Sequence, residues 1–209
     1  MSGTVGLSLF SANPVGMDAE TGGDSTVTLL ATDADDTSGR LDIARVRHRV
    51  VRHADQAASV TYEVRTFGRF HDWELSRHDR HFVIELDADG EPGAERNITI
   101  YAVDGRLRAD LVSNATRERL VRLSVSRRDH QTLEVRGSAD VVGARKVFWT
   151  SNFHRRGVRS CGWVDGWPLT CQDSVPDRGW LRLDRSAWPP ADHEKRVATV
   201  RSGPDLVSQ

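Results

Sequence analysis

The chain has 209 residues, 38% hydrophobic and 28% charged, with 29 Lys and Arg against 30 Asp and Glu and a formal net charge of -1. That balance creates no net field to draw in nucleic acid or an anionic membrane, and no stretch approaches the ~20 apolar residues of a membrane-spanning helix. The length suits one large domain that buries roughly two-thirds of its unfolded surface with no metal needed to hold the core.

From the N-terminus, residues 1–24 are rich in Gly, Ser, Asp and Ala and read as a flexible leader. The opening MSGTVGLSLFSANPVGM lacks Lys and Arg, so it is not a complete signal peptide. It reads either as the end of one whose start lies upstream or as a disordered leader. From 25 to 185 the pattern is period-two alternation, the mark of strands half-buried in a sheet. Val60, Tyr62 and Val64 alternate with polar residues, Phe82, Ile84 and Leu86 with Val83 and Glu85, Ile98 and Ile100 with Asn97, Thr99 and Tyr101, and Leu107, Ala109 and Leu111 with Arg106, Arg108 and Asp110. Further strands are expected at 25–31, 41–51, 120–126, 132–136, 145–151 and 180–183. Asp104-Gly105 between two alternating runs predicts a tight antiparallel hairpin, and Asp89-Gly90 marks another turn. About ten short strands with such connections predict an all-β, antiparallel, jelly-roll-like β-sandwich. Residues 186–209 read as a tail, with one edge strand at 196–200.

The most specific local feature is TDADDTSGRLDI at 32–43. Asp33, Asp35, Asp36 and Asp42 offer the hard oxygens that calcium prefers, although the run lacks the spacing of an EF-hand. The alternative is a solvated loop in which Asp and Ser cap turns. A second acidic group, around Glu85, Asp87, Asp89, Glu91 and Glu95, either contributes Asp87 and Asp89 to a metal site or is simply a turn. His78 and His81 lie in a charged loop with no evident ligand geometry, and no nucleophile elbow or phosphate-binding glycine motif is present. Asn97 and Asn114 open glycosylation sequons.

Cys161 and Cys171 are the only cysteines, and the turn-rich filling CGWVDGWPLTC suits a disulfide loop. A zinc site is disfavoured because no third Cys or His lies close by. The disulfide points to an oxidising compartment, outside the cell or in its envelope. Trp163 and Trp167 inside that loop either stack on sugar rings or cover the end of the core. Of the basic residues only Lys146 and Lys195 are lysine. Acids interleaved among the arginines favour GC-rich codon usage over an Arg-lined phosphate surface.

DADDTSGRLDI at 33–43, a strand ending in Arg65-Thr66-Phe67, FVIELDADG at 82–90, and a Cys–Cys loop near Pro176-Asp177 together resemble a group of exported actinobacterial β-sandwich proteins. The run FVIELDADG also resembles the superfamily of DOMON and family 9 carbohydrate-binding domains. The resemblance spans roughly 28–185 and implies a β-sandwich, in some members with structural calcium. It carries no haem site, since no Met or His pair matches axial ligands. The sequence therefore suggests a non-catalytic extracellular module, calcium-stabilised, that binds carbohydrate or another cell-surface polymer. The alternatives are a hydrolase using carboxylates of 87–95, or a structural protein of an envelope or phage.

Overall fold

A computed structural model describes residues 25–36, 39–52, 57–78, 80–153, 163–164, 167–168 and 171–183. The leader, the tail and the edge strand expected at 196–200 lie outside the described residues.

The alternating runs are strands. In chain order they are β1 (Ser25–Thr32), β2 (Ile43–Arg52), β3 (Ser59–Thr66), β4 (His81–Asp87), β5 (Arg96–Val103), β6 (Arg106–Ser113), β7 (Arg119–Asp129) and β8 (Thr132–Ser138). Then follow a single helical turn, α1 (Ala139–Val142), and β9 (Lys146–Phe153), β10 (Trp163–Val164), β11 (Trp167–Pro168), β12 (Cys171–Val175) and β13 (Leu181–Arg182). All pairings are antiparallel, as expected. The predicted hairpin joins β5 to β6 with Val103 opposite Arg106. Asp104 and Gly105 both take positive φ, 51° and 69°, which suits the twist of a two-residue turn.

Eleven of the strands form one hydrogen-bonded sheet in the order β1-β2-β3-β8-β7-β6-β5-β4-β9-β12, with β13 also on β9, and β10 and β11 pair apart from it. β4 to β8 form a meander whose last strand returns to β3, while β9 adds to its first. The sheet curls until β12 approaches β2, so the two layers are opposite walls of one nearly closed barrel. Among the described residues no ladder makes the final contact. Instead the Ile43 amide donates to Asp173 Oδ2 at 2.5 Å, joining β2 to β12 across 130 residues of sequence.

Opposite walls share one core. Tyr62 on β3 meets Trp149 on β9 edge-on at 6.2 Å between ring centroids, although these strands are far apart in the sheet. Phe70 packs on Phe82 at 5.7 Å. α1 plugs one end, burying Ala139 and Val142 and accepting the Tyr62 hydroxyl at the Val142 carbonyl. Register places the 33–42, 67–80 and 129–131 connections at the other end, called here the rim. No helix among the described residues is long and apolar enough to cross a membrane.

The core holds one titratable surprise. His48 sits between Val46 and Val50 on the inward face of β2, against Tyr62 at 4.7 Å. Burial drives its pKa from 6.5 down to about 3. The unfolded chain therefore takes up a proton below pH 6.5 that the folded one refuses. Stability is expected to fall as pH drops through the window from 6.5 towards 3, at most by on the order of 1 kcal/mol per pH unit. Urea midpoints between pH 7 and 4.5 should show a shallower pH slope for His48→Leu than for the parent. Equal slopes would remove His48 as the source.

Candidate metal centre and aromatic rim

The 33–42 connection is short, acidic and pinned at both ends. Asp33 extends the β1–β2 ladder by donating its amide to the Ala44 carbonyl at 3.1 Å. Asp42, only 1% exposed, opens β2, and its carbonyl accepts the Phe67 amide at 2.9 Å. Curling of the sheet then brings Asp173 of β12 against this loop. One carboxylate oxygen each of Asp36, Asp42 and Asp173 lie within 4.8 Å of one another. Two oxygens that share an ion at about 2.4 Å can be no more than about 4.8 Å apart, so the spacing fits calcium. The donor set is all carboxylate, with no His or Cys, and this favours a hard cation over a transition metal.

Electrostatics around the cluster agree. Burial lifts the Asp33 carboxyl to about 6; its bond from the Ala34 amide opposes that, while Asp173, Asp177 and Asp36 add repulsion. Asp33 Oδ2 is buried and accepts no hydrogen bond within the described structure. Asp173 is raised as well, chiefly by burial, against the lowering effect of the Ile43 and Ser174 amides; Asp36 and Asp177 raise it further. A bound divalent cation would relieve this crowding.

Of the residues singled out in the acidic loop, Asp36 and Asp42 join the cluster directly and Asp33 lies beside it. Asp35 is exposed and outside the trio. Asp87 and Asp89 are at the opposite end of the barrel, since β4 runs from the rim to the α1 end, so the two acidic loops cannot share one ion. Asp87, Asp89 and Glu95 do converge, again within 4.8 Å. Here, however, a lysine ammonium stands among the carboxylates. Asp87 accepts the Gly90 amide at 2.6 Å and Lys146 Nζ at 2.6 Å. Asp89 accepts the Glu91 amide, and Glu95 the Ala88 amide. Lys146 supplies in place the positive charge that a metal would bring. Asn97 and Asn114 bond to each other nearby at 2.5 Å.

Cys161 lies outside the described residues, and so does the disulfide expected of it. Trp163 and Trp167 fall on β10 and β11, which pair with each other as a two-residue ladder; their side chains, and that of Cys171, are likewise outside the description. Trp180 rests on Phe148 at 5.8 Å.

The rim carries an aromatic that sequence reasoning passed over. Trp73 is 69% exposed in a 3-10 turn (Asp72–Glu74), with His71 stacked on it at 5.8 Å and 11°. Phe67, 40% exposed, belongs to the same connection. The turn is braced from both sides: Glu74 takes the His71 amide and Arg40 Nη1, each at 2.8 Å, and Asp72 takes Arg127 Nε at 2.6 Å. Arg40 and the Asp42 carbonyl thus tie the aromatic turn to the acidic loop. Gly68 permits the approach, because a Cβ there would stand 2.8 Å from the Arg40 Cα. Comparison with protein-family models, with curated proteins and with solved structures finds no match.

Proposed function

We propose that this chain is a non-catalytic binding module of the cell exterior or envelope. In this reading a structural calcium sits among Asp33, Asp36, Asp42 and Asp173, and the adjoining rim takes a carbohydrate or related surface polymer. The observation that carries it is Trp73, an exposed indole braced on the same rim as the acidic cluster. An indole face offers a sugar's C–H groups a flat apolar surface at low entropic cost, since its turn is already fixed. The Cys161–Cys171 disulfide and a sugar-stacking role for Trp163 and Trp167 belong to the same proposal. Extracellular calcium modules work at about 0.1–1 mM affinity, a range that three carboxylates at the rim suit. The hydrolase alternative draws less support, because the carboxylates of 87–95 already serve backbone amides and Lys146.

Retention on insoluble cellulose, chitin and peptidoglycan tests the proposal. The parent protein should bind at least one of them, and Trp73→Ala should weaken that binding about tenfold, in line with loss of a central aromatic contact. Its melting midpoint should stay within about 2 °C, because an exposed surface substitution changes stability by only about 0.5 kcal/mol. Binding unaffected by Trp73→Ala, or no retention on any of the three, would count against the rim.

A further inference from the structure

The outer wall made by β2, β3, β8 and β7 is mostly polar and gathers arginine. Glu63 and Glu134 stand directly opposite each other on β3 and β8, with side chains only 3% exposed. Two like charges so placed repel, and guanidinium groups offset them. Arg47 reaches Glu63 at 2.5 Å and Arg128 at 2.9 Å, with Arg45 at 3.6 Å. Arg136 pairs with Glu134, which also has Arg128 at 3.6 Å.

The count does not end neutral. Five guanidinium groups (Arg45, Arg47, Arg65, Arg128, Arg136) face three carboxylates (Glu63, Glu134, Asp129), a surplus of two positive charges. Asp129 is occupied by the Gln131 amide at 2.7 Å and the Thr132 hydroxyl at 3.0 Å. Arg65 forms no ion pair among the described residues and donates only a 3.5 Å hydrogen bond to Gln131. Arg45 Nε is buried without an acceptor there. Arg45, Arg47, Arg65 and Arg128 line an open depression in this wall together with Thr132 and the carboxylates of Glu63 and Asp129.

We propose that this depression binds a tetrahedral oxyanion, the sulfate or phosphate group of an anionic ligand. Donors come from β2, β3 and the β7–β8 hairpin, which suits a group with oxygens in several directions. A planar carboxylate needs only one bidentate arginine. Glu63 takes part from below: by holding Arg47 and Arg128 in place it lowers the ordering cost of binding. Acids interleaved with arginine along the sequence therefore do not argue against such a surface. Folding puts Glu63 and Glu134 beneath the arginines, with Asp129 the exposed acid, engaged by the Gln131 amide and the Thr132 hydroxyl.

Isothermal titration of the full chain at low ionic strength, with sodium sulfate, sodium phosphate and heparin as probes and with chelator present, tests this. Saturable binding of sulfate or phosphate is expected, and heparin should bind more tightly if the group is carried on a sulfated polymer. Arg65→Gln and Arg45→Gln should each weaken it about tenfold, whereas Arg106→Gln, on the exposed start of β6, should not. Arg65→Gln leaves every Glu63 ion pair intact, so its melting midpoint should match the parent's. Absence of saturable binding, or an equal loss from Arg106→Gln, would overturn the assignment.

Discussion

Trp149→Ala is expected to destabilise the protein by about 3–5 kcal/mol, the range for removing a fully buried indole. Trp149 is 0% exposed at the centre of β9 and touches Tyr62 on the far wall, so its loss opens a cavity where the two walls meet. A domain typically holds only about 5–15 kcal/mol in total, which makes this a large fraction. Trp149→Phe should cost much less. It keeps most of the ring volume, and the indole Nε1 it deletes is buried with no hydrogen-bond partner in the described structure. Urea denaturation of the two variants checks the pair. A Trp149→Ala midpoint close to that of the parent would mean that the walls do not pack on this ring.

The second large effect is expected at Asp173. Asp173→Asn keeps one oxygen for the Ile43 amide, gives up the bond from the Ser174 amide to the other oxygen, and removes one charge from the acidic cluster. Without calcium, relief of the repulsion from Asp36 and Asp177 offsets the lost bond, so the variant should lie within about 1 kcal/mol of the parent. With calcium it should gain little, having lost a ligand. The gap between parent and variant thus widens on adding the ion, which a purely structural role for Asp173 at the β2–β12 contact would not produce.

Much of the barrel wall was legible because a half-buried strand writes its two faces into alternate residues. Val60, Tyr62 and Val64 are each at most 1% exposed, as are Phe82, Ile84 and Leu86. The same alternation pointed inward at His48, between Val46 and Val50, though its polarity disguised it. The Asp104-Gly105 turn was readable because few dipeptides accept two positive φ values in succession. What local pattern does not encode is how far the sheet curls. That depends on contacts such as Tyr62 with Trp149 and Ile43 with Asp173, between residues about 90 and 130 positions apart.

The candidate site divides along the same line. The acidic loop at 33–42 was visible as a cluster in sequence, but Asp173 stands as a lone acid among Cys171, Gln172 and Ser174, and only barrel closure recruits it. Conversely, Asp87 and Asp89 could be read as completing a metal site until the register put them at the other end beside Lys146. Trp73 gave no sign because exposure is a tertiary property. Glu63 and Glu134 did leave one: a charge in mid-strand, on the face opposite a run of buried apolar residues, with Arg45 and Arg47 alternating on the neighbouring strand.

Thermal melting of the full chain with excess calcium and then with chelator is the most direct test of the acidic cluster as a calcium site. A ligand at about a hundred times its dissociation constant adds about 2.7 kcal/mol, which for a domain of this size corresponds to a rise of roughly 5–10 °C. The account predicts that rise for the parent protein, its reversal by chelator, and its near absence in Asp173→Asn. A midpoint that does not move with calcium, or moves equally in the variant, would contradict it.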